Sequence, residues 1–77
     1  MTYNILEEMI STDDVSRISY GIVVHTETEE GKTATILMSV RDITEDRSAI
    51  AELVSLCNRL ELSPIHLLNV VDDFLNR

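Results

Sequence analysis

Apolar and polar residues alternate along the first half of the chain, as they do in β-strands that bury one face. The strongest case is the stretch 16–28, and a second alternating stretch spans 32–41. The apolar side chains that share one face are Ile18, Tyr20, Ile22 and Val24 in the former and Ala34, Ile36, Met38 and Val40 in the latter. Alternation is weaker over residues 2–10. There we predict a strand, and a short helix through residues 6–10 is the alternative.

The segment between the second and third predicted strands sets their register. Glu29-Glu30-Gly31 fits a three-residue hairpin loop, with Gly31 at a position that favours positive φ. The resulting antiparallel pairs are Val24 with Ile36, Ile22 with Met38, and Tyr20 with Val40. On the opposite face this register makes Val23 and Leu37 cross-strand neighbours. We therefore expect an exposed apolar pair on the outer face of the sheet.

Helical periodicity replaces alternation in the second half and predicts two helices, over residues 45–60 and 64–76. Thr44 is the predicted N-cap of the first helix. Ser63 is the predicted N-cap of the second, followed by Pro64 at the first helical position. The inward-facing residues are predicted to be Ile50, Leu53, Val54, Cys57 and Leu60 in the first helix and Leu67, Leu68, Val71, Phe74 and Leu75 in the second.

Three strands followed by two helices indicate an α+β fold. We predict a three-stranded antiparallel meander with both helices packed on one sheet face. Seventy-seven residues make a single domain, 1–77. A domain of this size has a small core, and self-association is a common remedy.

Charge narrows the classes of partner. Fourteen acids and six Lys or Arg residues give a net charge of −8. The bases are not clustered, which argues against nucleic acid and anionic membranes as partners. On electrostatic grounds a basic protein surface or a metal ion is favoured instead. The single cysteine excludes an internal disulfide, and no apolar run approaches a membrane span. The expected setting is the cytoplasm.

Chemical motifs are sparse. Cys57 lies on the apolar stripe of the first helix, so we interpret it as a core residue rather than a nucleophile. No zinc-type spacing of His and Cys is present. We therefore predict no catalytic, cofactor or metal site. His66 and Asn69, at the start of the second helix, are a weak candidate for a polar site. The alternative for His66 is a capping or packing role at the turn between the helices.

Asp72 and Asp73 lie near the end of the second helix, where acids face the negative end of the helix dipole. The cost is a few tenths of a kcal/mol to about 1 kcal/mol. An unfavourable local choice can mark a functional surface. The two acids are therefore candidates for binding a basic partner or for an internal ion pair with an arginine. The alternative is a pair of solvated charges.

Several segments carry a family resemblance. They are Y-G-I at 20–22, D-I-T-E-D at 42–46, the helix with Leu53, Val54 and Asn58, and L-S-P-I-H-L-L-N-V-V-D-D-F-L at 62–75. Over residues 20–75 the chain resembles a bacterial family of small proteins classed as a domain of unknown function. The resemblance implies a bacterial protein, and it supplies no activity, cofactor or site residue.

These observations predict a small, non-enzymatic protein-interaction module that forms a homodimer. The expected contact surface is Val23 and Leu37, with the sheet edges as a second route to pairing. One alternative is regulatory binding of a larger basic protein through Asp72 and Asp73. A small-ligand or enzyme site near His66 is the third hypothesis.

Overall fold

The computed structural model describes residues 2–26 and 34–76. Strands β1 (Thr2–Thr12), β2 (Val15–His25) and β3 (Ile36–Thr44) form one antiparallel sheet in the order β1-β2-β3. Helix α1 (Arg47–Arg59), a 3-10 turn (Pro64–His66) and helix α2 (Leu67–Leu75) follow. The predicted α+β fold is confirmed, with three strands and then two helices packed on one sheet face.

A tight turn joins β1 to β2. Asp13 and Asp14 have φ values of 42° and 64°, and Thr12 pairs with Val15 on either side of them. Two consecutive residues with positive φ are typical of a type I′ hairpin turn, which Asp tolerates better than most residues. Residues 6–10 are therefore strand rather than helix, and β1 runs two residues beyond its predicted end.

The predicted register of β2 and β3 is wrong by two residues. Val24 lies opposite Met38 and Ile22 opposite Val40, whereas Tyr20 pairs with Thr44. The predicted loop at 29–31 lies outside the described residues. Alternation has a period of two, so a shift by two residues leaves Met38 and Val40 on their predicted face. Ile36 is the exception, because a register irregularity between Val24 and His25 places it opposite His25, where it is exposed. The apolar pattern therefore predicted the faces of Met38 and Val40 and could not fix the register or the irregularity before Ile36.

A bulge in β3 lies opposite Gly21. Residues 41–43 fall between the partners of Ile22 and Tyr20, and Asp42 has a φ of 53°. A Cβ atom on Gly21 would lie 2.1 Å from the carbonyl oxygen of Val40, closer than atoms can approach. The bulge therefore requires glycine at this point of the central strand.

Helix α1 begins two residues later than predicted, at Arg47. Its N-cap is Asp46, whose Oδ1 accepts a 3.1 Å hydrogen bond from the backbone N–H of Ala49. Thr44, the predicted cap, instead accepts a hydrogen bond from the N–H of Asp46 and so orders the residue that caps the helix. The 3-10 turn makes a separate start before α2, and the side chain of Ser63 forms no capping bond there.

The core lies between the sheet and the helices. Its buried residues are Tyr3, Tyr20, Ile22, Val24, Ile43, Ile50, Leu53, Val54, Cys57, Leu67 and Val71. Five residues that were predicted to face inward are exposed, namely Ile18 and Ile36 on the strands and Leu60, Leu68 and Leu75 in the helical half. Helix α2 is apolar on most of its circumference, and only one side of a nine-residue helix can contact the sheet. The side that does so carries Leu67 and Val71.

Asn58 fastens α1 to the free edge of β1. Its Oδ1 accepts a 2.8 Å hydrogen bond from the N–H of Tyr3, and its Nδ2 donates a 2.8 Å bond to the carbonyl of Tyr3. The Tyr3 hydroxyl donates to the carbonyl of Leu62 beyond the end of α1. The Asn58 amide thus forms the two hydrogen bonds that a neighbouring strand would form with Tyr3. The β1 edge is closed there, because these backbone groups are not available to another strand.

Candidate interaction surfaces

An ion pair crosses the central strand of the sheet. Arg41 on β3 donates from Nε to Glu8 on β1 at 2.8 Å, and its Nη2 lies 2.7 Å from the same carboxylate. Because β2 lies between β1 and β3, the two side chains meet across the central strand. The hydrogen bond from Arg41 lowers the pKa of Glu8. This fork-shaped contact joins the two outer strands of the sheet.

A second polar group surrounds the bulge. Arg17 makes two 3.0 Å bonds to the carboxylate of Asp42 and lies 3.2 Å from Glu45. The buried hydroxyl of Ser19 also donates to Asp42. The Arg17 guanidinium and then the Ser19 hydroxyl hold the pKa of Asp42 at about 2. The Asp42 side chain is thus hydrogen-bonded within the protein, and this cluster stabilises the bulge.

The expected apolar pair on the outer face does not form. Val23 lies opposite Asn4 and Ser39 rather than Leu37. It is 8% exposed, because it lies in the central strand between two others, whereas Leu37 is 48% exposed. Val23 is therefore not available as a contact surface. The exposed apolar residues of this region lie on β3 itself, at Ile36 and Leu37.

The two edges of the sheet differ in chemistry. The β1 edge carries Glu7 and Glu8 and is closed at Tyr3 by Asn58. Residues 36–40 of β3 have no charge and no proline, and within the described part of the chain no strand pairs along their outer side. Ile36 is 61% exposed. An uncharged edge strand is a ready template for another strand.

The alternating pattern of backbone hydrogen bonds across the sheet shows which N–H and C=O groups of β3 point outward from its free edge. The backbone N–H and C=O of Tyr3 point away from β2 and toward Asn58. The N–H and C=O of its partner Val24 therefore point toward β3. Met38, opposite Val24, directs its own groups toward β2. The N–H and C=O of the next residue, Ser39, consequently point outward.

Asp72 and Asp73 occupy different surroundings. Asn76 donates from Nδ2 to both the carbonyl and the carboxylate of Asp72, which partly explains an acid at this helix end. Asp73 lies beside the apolar side chains between the two helices. Within the described residues neither acid pairs with an arginine, since Arg41 and Arg47 contact Glu8 and Glu7 instead. Both carboxylates are exposed.

A groove of about 420 Å³ separates α1 from α2. It is lined by Leu53 and Leu56 from α1 and by Val70, Asp73 and Phe74 from α2. Each helix packs more closely on the sheet than on the other helix, which leaves the space between them open. The groove thus combines an apolar floor with one carboxylate.

The remaining candidates lie apart from one another. His66 and Asn69 are both exposed, and the His66 side chain forms no capping bond at the start of α2. Across residues 2–26 and 34–76, no three His, Cys, Asp or Glu side chains gather as a metal site would require. Cys57 is buried as predicted, and burial raises the pKa of its thiol. The described part of the chain has no helix long and apolar enough to cross a membrane.

Sequence reasoning missed the residues that organise these surfaces: Arg17, Ser19, Asp42 and the amide of Asn58. A weak signal was present at Gly21, since an isolated glycine within a strand is typical of a bulge or a close backbone approach. D-I-T-E-D supplies the bulge, a core residue at Ile43 and the helix cap at Asp46. These structural roles account for the residues of the segment without a ligand-binding or catalytic role.

Fold and surfaces together define a small α+β domain with an uncharged sheet edge and a groove between its helices. The chain belongs to DUF6514, a family of unknown function whose sequence profile matches residues 1–77. No curated protein matches the chain. No solved structure matches it either.

Proposed function

We propose that this protein is a non-enzymatic protein-interaction module that forms a homodimer by pairing the β3 edges of two copies. The observation that carries the proposal is the chemistry of residues 36–40, an edge strand with no charge and with Ile36 and Leu37 exposed. Pairing two such strands about a twofold axis joins two three-stranded sheets into one of six strands.

Net charge favours this surface over others for self-association. Two copies with a charge of −8 repel each other. A contact through 36–40 brings together backbone groups and apolar side chains, whereas a contact through the hairpin turn would oppose Asp13 and Asp14 to their copies. The proposal places the module in the bacterial cytoplasm, where the free thiol of Cys57 stays reduced.

Sedimentation equilibrium from low to high micromolar concentration tests the proposal. We expect the wild-type chain to reach twice its mass of 8.7 kDa. Ile36→Lys places a charge on the β3 edge, as natural edge strands do, and is expected to give a monomer. Val15→Lys is the matched control, because Val15 is 65% exposed and Ile36 61%, and both are β-branched residues on strands.

The outcomes separate the proposal from its competitors. A wild-type chain that stays monomeric at high micromolar concentration contradicts self-association. A dimer that persists in Ile36→Lys and dissociates in Val15→Lys assigns the interface to the β1–β2 hairpin. Circular dichroism of each variant shows whether the fold is retained, so loss of the dimer is not confused with unfolding.

Binding of a larger basic protein is the second candidate function. Asp73 supports it, because this carboxylate lies at an apolar groove and pairs with no described cation. A polar site at His66 has no comparable support among the described contacts.

A further inference from the structure

We infer that the groove between α1 and α2 binds an amphipathic helix of another protein, one whose apolar side chains are flanked by Lys or Arg. Recognition of this kind uses a helix laid into an apolar groove between two others. The inference rests on the second candidate function, binding of a basic protein at Asp73, and it is independent of homodimer formation because the groove contains no residue of β3.

The apolar part of the argument rests on the floor of the groove. Leu56 on α1 and Val70 and Phe74 on α2 are each half-buried and line the same space of about 420 Å³. That volume lies within the range of about 300–1,000 Å³ typical of ligand-binding clefts. The side chains of one helix face could extend the core by filling it, which would remove three partly exposed apolar residues from water.

The acidic charge at the groove determines which residues should flank the apolar face of the partner helix. Asp73 lies among these apolar residues, and Glu52 lines the adjoining part of the same groove, next to Arg59. A purely apolar occupant would take the Asp73 carboxylate out of water without supplying a cation, at a substantial cost. A Lys or Arg at the edge of the occupant's apolar face removes that cost.

A second copy of this chain is a poorer occupant. Its exposed apolar stripe, Ile65, Leu68 and Leu75, includes Asp72 at the intervening helical position. Docking that stripe would bring Asp72 of one copy toward Asp73 of the other, and like charges in an interface are unfavourable. Charge therefore favours a partner of opposite sign over self-association at this site.

Two synthetic helical peptides test the inference. Both carry leucine at the i, i+3, i+4 and i+7 spacing, with lysine at the remaining positions in one and glutamate in the other. Titration into the ¹⁵N-labelled protein is followed by amide chemical shifts. We expect the lysine peptide to shift the amides of Leu56, Val70 and Phe74 in a saturable manner, and the glutamate peptide to leave them unchanged.

Charge-matched variants separate a specific site from general attraction. Asp73→Asn is expected to weaken binding of the lysine peptide about twofold to fivefold, the loss of one exposed ion pair. Asp13→Asn removes the same charge at the hairpin turn, where Asn tolerates positive φ, and should leave the affinity unchanged. Equal weakening by both variants overturns the inference, as do shifts confined to residues outside the groove.

Discussion

Replacing Asn58 with alanine should destabilise the fold more than its exposed position suggests. The substitution removes two 2.8 Å hydrogen bonds to the backbone of Tyr3. It leaves an N–H and a C=O without protein partners at a residue that is 2% exposed. Each bond contributes on the order of 1 kcal/mol, and an unsatisfied buried group costs about 1–3 kcal/mol. Water can reach part of the site, so we expect a loss of about 2 kcal/mol.

Asn69→Ala provides the matched control. Asn69 is an exposed residue within α2 whose side chain makes no described hydrogen bond. Both substitutions gain the same helix propensity, about 0.5 kcal/mol. The difference between the two variants therefore isolates the contacts with Tyr3.

Urea unfolding followed by far-ultraviolet circular dichroism measures both variants at one fixed protein concentration, since self-association would make stability concentration-dependent. For a domain of this size, 2 kcal/mol corresponds to a fall in Tm on the order of 10 °C. Free energies of unfolding that agree within about 0.5 kcal/mol for Asn58→Ala and Asn69→Ala would refute a role for the amide in closing the β1 edge.

Three further predictions address the bulge and the core. Because Arg17 holds the pKa of Asp42 at about 2, the stability that Asp42 contributes is complete above the ordinary pKa of about 3.9 and is lost as pH falls toward 2. Acid titration of unfolding should thus be less steep between these values in Asp42→Asn, and an unchanged slope would contradict the ion pair. Gly21→Ala should lower the urea midpoint by the equivalent of at least about 2 kcal/mol, since its Cβ would meet the Val40 carbonyl; a wild-type midpoint would argue against the bulge. Cys57 should react with Ellman's reagent only as the protein unfolds, and prompt modification of the folded chain would be inconsistent with its burial.

Local pattern was sufficient for the elements and their faces. Alternation through Ile22 and Val24 predicted which face of β2 packs against the helices, and the spacing of Ile50, Leu53 and Cys57 predicted the buried face of α1. The type of element and its buried face depend on which side chains avoid water, and the spacing of apolar residues along the sequence reports this directly.

Register, capping and the inner face of α2 were harder to predict for physical reasons. A two-residue shift between β2 and β3 keeps every face, so hydrophobicity cannot detect it. The bulge at Asp42 depends on the room left by Gly21 on another strand. Leu68 and Leu75 are as apolar as Leu67, and only the position of the sheet determines which of them is buried.

The candidate surfaces were likewise predictable where they depend on local sequence and not where they depend on tertiary arrangement. The uncharged character of 36–40 is visible in the sequence, whereas its place at the sheet edge depends on strand order. Val23 and Leu37 were predicted as a pair from a register that does not occur. The groove beside Asp73 requires two helices to lie apart on one sheet, a relation that no local pattern contains.

Amide hydrogen exchange at Ser39, measured as a function of protein concentration, tests the pairing of β3 edges most directly. The Ser39 N–H points away from β2 and would be bonded to a second copy in the proposed dimer. We predict that its exchange slows as concentration rises, and that Ile36→Lys abolishes this dependence. Exchange at Ser39 that stays equally fast while the protein sediments as a dimer would contradict the proposed interface.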